Sequence, residues 1–185
     1  STGNHGQSIA YASGLLGVRA IIVVPERANP GKVESIRNLG GEVIFHGVTF
    51  DDARKHVERL SKEEGYRYIH SADEPALIAG VGTYTLEIIE ELPDVDVIIV
   101  PVGGGSGACG TCITAKGINP RIQVIAAQAA EAPAAYLSWK EGRIVEAPNR
   151  TRAEGLATQV GFALTQTILR NFLDDFILVT EEELD

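Results

Sequence analysis

Two glycine-bearing turns hold the residues whose types and spacing could do chemistry. The first is Asp96-Val97-Ile98-Ile99-Val100-Pro101-Val102 leading into Gly103-Gly104-Gly105-Ser106-Gly107-Ala108-Cys109-Gly110, with five glycines in eight residues. An apolar strand, a glycine turn and a helix start make a natural anion site. Glycine lets backbone N–H groups converge without side-chain clash, and the helix N-terminus adds partial positive charge. A phosphate is the expected guest, with Ser106 offering a further hydroxyl. The turn alone does not say whose phosphate it is. Gly105-Ser106-Gly107-Ala108-Cys109-Gly110 fits G-x-G-x-x-G, and Glu131 follows about twenty residues on, where a ribose-binding acid would sit, so a dinucleotide-binding oxidoreductase stays open. A P-loop is excluded, because no Gly-Lys-Ser/Thr follows. A ligand-free strand-to-helix turn is the plain alternative.

The second turn is Ser1-Thr2-Gly3-Asn4-His5-Gly6-Gln7, placed before a helical stretch over residues 8–16. Free N–H groups at a helix entrance can hold a carboxylate, and Asn4 can both donate to and accept from a planar ligand. An ordinary N-cap explains the same residue types. His5 shares no metal-ligand spacing with His46, His56 or His70. Cys109-Gly110-Thr111-Cys112 is a C-x-x-C at a helix N-terminus, where a thiolate is favoured and a redox dithiol is conceivable. The alternative is two small apolar residues one turn apart on a packed helix.

The elements that must position these turns follow an alternating pattern. Strands are expected at residues 19–24, 42–46, 67–70, 96–100, 123–127 and 176–179. Helices are expected at 49–62, with Phe50, Ala53, Val57 and Leu60 on one stripe and Asp51 and Asp52 in the first turn, and at 75–92. Repeated strand–helix–strand units imply an α/β fold with open, mostly parallel sheets and helices on both faces. Glu90-Glu91-Leu92-Pro93-Asp94 reads as a joint, since proline stops a helix before the next strand. The chain has 185 residues, a net charge of −9 and 44% hydrophobic residues. That composition excludes disorder, and the acidic balance argues against nucleic acid or an anionic membrane as partner. No apolar run reaches the ~20 residues of a membrane span. Two cysteines make no disulfide framework, which points to the cytoplasm.

Taken together, the Ser-Thr-Gly-Asn-His-Gly-Gln segment, Ala79-Gly80-Val81-Gly82-Thr83 and Val100-Pro101-Val102-Gly103-Gly104-Gly105 resemble the pyridoxal-phosphate enzymes of fold type II. Gly40-Gly41-Glu42-Val43 and Ala153-Glu154-Gly155-Leu156 extend the resemblance over the whole chain. Within that group the chain is most similar to threonine/serine dehydratases (ammonia-lyases) and serine racemases. The resemblance implies a tryptophan synthase β-like fold, with residues 1–92 as the smaller domain and 93–185 as part of the larger, cofactor-binding one. It implies that Asn4 bonds the 3′-hydroxyl of pyridoxal phosphate. Gly103, Gly104, Gly105, Ser106 and Gly107 would hold its phosphate, and Ser1, Thr2, Gly3 and His5 the substrate carboxylate. The reaction implied is deamination of a small hydroxy amino acid to an α-keto acid and ammonia, in a homo-oligomer, presumed a dimer.

The departures from the family pattern carry expectations of their own. The Schiff-base lysine is expected upstream of Ser1, so no catalytic residue is assigned here, and the chain reads as an internal fragment that is inactive alone. A non-catalytic module with the same fold would share that lack. Thr2 stands where racemases of the group carry serine, which disfavours racemisation. Gln128 and Ala134 occupy the positions of acidic metal ligands in some relatives, so no metal is expected. Ser106 replaces a fourth glycine, and Val81 replaces a common glutamine.

Overall fold

The computed structural model describes residues 3–184, in which short parallel strands alternate with helices. The chain divides into two compact units, one running to Ile69 and the other beginning at His70.

In the first unit, α1 (Asn4–Leu15) precedes β1 (Ile21–Val24), α2 (Pro30–Asn38), β2 (Glu42–Phe45) and α3 (Phe50–Glu64). The two strands pair in parallel, Ile21 opposite Glu42 through Val24 opposite Phe45. Their core is Ala10, Ala20, Ile22, Val24, Val33 and Ile36. The helix starts follow from local chemistry. Pro30 opens α2 at its first turn, where a missing N–H costs nothing, and Asn29 Oδ1 accepts from the Gly31 and Lys32 amides. At α3, Asp52 N–H donates to Thr49 Oγ1 while Asp52 Oδ2 accepts from the Thr49 N–H, a reciprocal capping box. The acidic first turn foreseen there thus includes its own cap, and Gly65 ends the helix in the left-handed region with φ 71°.

The second unit carries α4 (Pro75–Glu91), β3 (Val97–Pro101), α5 (Ser106–Ile118), β4 (Gln123–Ala129), α6 (Ala134–Glu141), α7 (Ala163–Phe172) and β5 (Asp175–Val179). Its sheet has the order β3-β4-β5, parallel throughout. Glu90 to Asp94 connects α4 to β3 inside this unit. Ile98, Val100, Val124, Ala126 and Phe176 bury one face of the sheet with Cys109, Cys112 and Leu169 from the helices. β3 alternates strictly: Ile98 and Val100 are buried, whereas Val97 and Ile99 are exposed. The apolar run is therefore a pleated strand covered on one side among the described residues.

Two expectations change. Residues 67–70 form no strand: His5 Nε2 donates to the Ile69 carbonyl, and His70 Nδ1 accepts from the Ala72 and Asp73 amides. One carbonyl that a ladder would use is thus taken by a side chain, and His70 turns the chain immediately after it. The first helix begins at Asn4 rather than Ser8, because the amide of Gln7 donates to Gly3 O and closes a turn immediately.

α4 and α5 cross backbone to backbone. A Cβ on Gly110 would lie 2.8 Å from both Gly82 N and Ile78 O, and one on Gly82 would lie 2.7 Å from Thr114 Oγ1. Around the crossing, Thr85 Oγ1 donates to Thr111 Oγ1 at 3.1 Å, and Thr114 Oγ1 to Gly82 O at 3.2 Å. Beside it, Val81 packs its Cγ2 toward Gly110, so the valine replacing glutamine serves the helix contact. At the far end of α5, Lys116 Nζ donates to Asp174 Oδ2 at 2.6 Å and to Ile122 O, while the Val124 amide donates to the same carboxylate.

Gly110→Ala is expected to cost about 2–4 kcal/mol, the range for overpacking plus backbone displacement, read as a lowered urea midpoint with unchanged slope. A loss under ~0.5 kcal/mol would show that the helices separate freely. The Asp174 carboxyl is pushed up by desolvation, but the Lys116 and Val124 bonds outweigh this and hold it below its ordinary value. Its contribution is therefore present above the unfolded-state value of about 4 and lost as pH falls below it. Asp174→Asn should flatten the stability–pH curve between about pH 5 and 2, measured by thermal unfolding across that range.

Candidate functional site

The glycine turn is built by exclusion. β3 ends with the Val102 amide donating to Ala127 O at 2.8 Å, and the chain then turns into α5. Gly105 sits at φ 98°, in the left-handed region that favours glycine. A Cβ on Gly103 would lie 2.6 Å from Gly155 O, and one on Gly104 2.6 Å from the Ala72 Cβ and 3.2 Å from the Phe162 ring. Neither position has room for a methyl group.

The hydrogen bonds of the turn are asymmetric. Its carbonyls are taken by protein donors: Gly103 O accepts from Thr158 Oγ1, Gly104 O from Thr165 Oγ1, Gly105 O from the Cys109 amide and Gly107 O from the Tyr84 hydroxyl. The N–H groups of residues 103–108 donate to nothing among the described residues. Half of these residues are buried, where unpaired donors are costly. Bare amides at the N-terminus of a thirteen-residue helix make a cradle for an anion of phosphate size. Pyridoxal phosphate fits this cradle through its phosphate. Ser106 adds no hydroxyl donor to it, because its Oγ–H donates to Ser71 O at 3.2 Å.

The wall of the turn depends on residues that sequence reasoning missed. His70 Nδ1 accepts two amides and so shapes residues 70–73, while its ring meets Phe162 edge-on at 4.6 Å. Asp73 then accepts from the Leu164 and Thr165 amides, capping α7 from 91 and 92 positions away. Thr165, held this way, is the donor to Gly104 O. Only Ala153-Glu154-Gly155-Leu156 gave a signal in the sequence; its Gly155 carbonyl lies where a side chain on Gly103 would go.

In the first unit, Ser1 and Thr2 lie outside the described residues. Gly3 is buried, and a Cβ on it would lie 2.5 Å from Lys32 Cδ, so the lysine side chain rests where a larger residue would project. Asn4 is exposed at the first position of α1, and its side-chain amide bonds nothing among the described residues. His5 is not a free cation: burial holds its pKa below the usual value against the opposing bond to Ile69 O. With Nε2–H spent on that carbonyl, its ring has only an acceptor left, and a carboxylate here needs the backbone amides.

The cysteines follow the packing alternative rather than the redox one. Both are free and fully buried, and Cys109 Sγ donates to Thr165 O at 3.4 Å. Burial pushes both thiols up, Cys112 to about 12, which outweighs the helix N-terminus. They are packing residues. Gln128 is also buried, its Oε1 accepting from the Tyr136 amide, and Ala134 opens α6.

The family model described as "Pyridoxal-phosphate dependent enzyme" matches residues 1–184. An L-threonine ammonia-lyase of Geobacter sulfurreducens is 38% identical over the whole of this chain, which covers 46% of that protein. The serine racemase of Dictyostelium discoideum is 41% identical, with 57% of it covered. The processed form of threonine deaminase isoform 2 from Solanum lycopersicum superposes with a TM-score of 0.90 at 35% identity, over 97% of this chain and 53% of that one. The chain spans about half the length of the curated relatives it matches. With an α/β fold of parallel sheets, a phosphate-sized amide cradle and a family match along nearly all its residues, the chain belongs to the pyridoxal-phosphate-dependent enzymes of fold type II.

Proposed function

We propose that this chain supplies the phosphate cradle and one substrate-binding turn of a pyridoxal-phosphate-dependent ammonia-lyase acting on a small hydroxy amino acid such as threonine or serine. The observation that carries this reading is the row of amides at residues 103–108 that donate to nothing among the described residues, while the carbonyls of Gly103, Gly104, Gly105 and Gly107 accept from protein donors. Gly103, Gly104, Gly105 and Gly107 hold the cofactor phosphate through N–H groups; Ser106 contributes its amide while its hydroxyl fixes the turn to Ser71. Asn4, whose side-chain amide bonds nothing among the described residues, bonds the 3′-hydroxyl. The amides around Gly3 to His5, with Ser1 and Thr2, orient the substrate carboxylate. The bound cofactor supplies an electron sink for loss of the Cα proton and the β-hydroxyl.

Thr2 in place of serine favours deamination over racemisation, since its added methyl group restricts the rotamers of the hydroxyl that would act as the second proton donor of a racemase. The lysine that forms the Schiff base is not proposed to be one of those here: Lys116 is tied to Asp174 and Ile122 O, and Lys140 lies over the Tyr136 ring. Turnover therefore belongs to the longer enzyme, which we place in the cytoplasm as a homodimer. No helix among the described residues is long and apolar enough to cross a membrane.

Pyridoxal phosphate added to this chain should quench tryptophan emission saturably, and Gly107→Asp, where a Cβ meets nothing nearer than 3.4 Å, should weaken that binding at least roughly tenfold, about 1.4 kcal/mol, by adding a carboxylate beside the phosphate with circular dichroism unchanged. Equal affinity in the variant would rule the turn out as the phosphate site. With cofactor and L-threonine or L-serine present, keto-acid release by this chain alone should stay at the buffer rate; sustained turnover would place the lysine within it.

A further inference from the structure

α3 and the turn before it present a group of side chains that neither cofactor nor substrate binding uses. His46 follows β2, Gly47 turns the chain at φ 72°, and His56 stands on the second turn of α3. The two imidazoles stack with centroids 4.0 Å apart and planes 15° from parallel. Arg59 Nη2 donates to His56 Nδ1 at 2.9 Å, which leaves the proton of neutral His56 on Nε2. Together with Gly47, Asp52 and Lys55, these residues line an open pocket of about 490 Å³.

We propose that His46, Lys55, His56 and Arg59 form a binding site for a phosphate-class oxyanion, separate from the glycine turn. Four of the six lining residues can carry positive charge, on a chain whose net charge is −9. Their counter-charges are weak. The one acidic lining residue, Asp52, spends its Oδ2 on the Val48 and Thr49 amides, and its carboxylate feels the Lys55 charge without forming a salt bridge to it. Glu63 reaches Arg59 only at 3.9 Å, between two exposed side chains. Lys55 makes no ion pair, and His46 has no hydrogen-bond partner, among the described residues. Burial, then the neighbouring His46 and Arg59, holds His56 below its ordinary pKa against the opposing charge of Glu63.

An oxyanion meets each of these groups with chemistry they already offer. The Lys55 ammonium and the Arg59 guanidinium donate charge-assisted bonds, and the imidazole N–H groups complete the shell. The pocket is larger than a bare phosphate needs and falls in the size range of small-molecule sites, so a phosphate monoester also fits. This reading does not depend on the proposed lyase activity.

The test is a ring Cε1–H NMR titration of the whole 185-residue chain, which has four histidines, with inorganic phosphate and with chloride at matched ionic strength. His46 and His56 should shift saturably with phosphate and not with chloride. Lys55→Gln with Arg59→Gln, both at exposed positions, should weaken this binding roughly tenfold with unchanged circular dichroism. His70, beside the glycine turn, reports any phosphate bound there with its own constant. A nucleoside monophosphate that binds tighter than inorganic phosphate supports the site with an ester as its ligand; equal affinity supports it with the free ion. Equal shifts with chloride, or binding unaffected by the double variant, would overturn the proposal.

Discussion

The turn after β3 has no room for a side chain, and the rest of the second unit is arranged around that fact. Gly103 lies against the Gly155 backbone, Gly104 against Ala72 and Phe162, and Gly105 takes a backbone conformation that other residues avoid. Such packing normally serves a close backbone approach. Here the amides find no acceptor among the described residues, while the carbonyls are tied off one by one. The asymmetry separates a ligand cradle from a merely tight turn. A tight turn would satisfy both kinds of backbone group, since a buried unpaired donor costs on the order of 1–3 kcal/mol.

The cradle is held from outside rather than by its own bonds. Thr165 and Thr158 reach it from the segment around α7, Tyr84 from α4, and Ser71 through Ser106. Asp73 then caps the very helix that carries Thr165. The second unit thus closes a loop of dependence: residues 70–73 position α7, α7 fixes the carbonyl of Gly104, and Gly104 abuts Ala72. Such closed networks are worth more than their separate bonds, since each partner is already ordered when the next bond forms.

Much of this was legible in the sequence, for identifiable reasons. The strands at 42, 97 and 123 announce themselves because an apolar run bounded by Gly or Pro has few other uses. The glycine turn is legible because so many glycines weaken a helix start unless the backbone itself is needed. Residues 67–70 misled, since Tyr68 and Ile69 look like strand residues while His70 spends its ring on the following turn. The cysteine pair was readable only as two alternatives: helix position favours a thiolate, and only the tertiary packing shows that burial is the larger effect. Asp73 was unreadable, as a cap 91 residues from its helix leaves no local pattern. Asn4 was readable as a polar residue at a helix entrance, but not as one inside the first turn.

The glycine contact between α4 and α5 has a mechanical consequence. Ridges of side chains let two helices slide by a notch, as in the shear motions of packed cores. At Gly82 and Gly110 there are no ridges, only main chain seated on main chain with Thr114 hooked onto the Gly82 carbonyl. That joint acts as a pivot: α5 can rock about it but cannot translate without breaking contact. Because α5 begins at the cradle, its bare amides sit about one turn from the fulcrum, where rocking displaces them least. The donors are thereby kept aimed, and the Lys116–Asp174 bond anchors the opposite end of α5 as well.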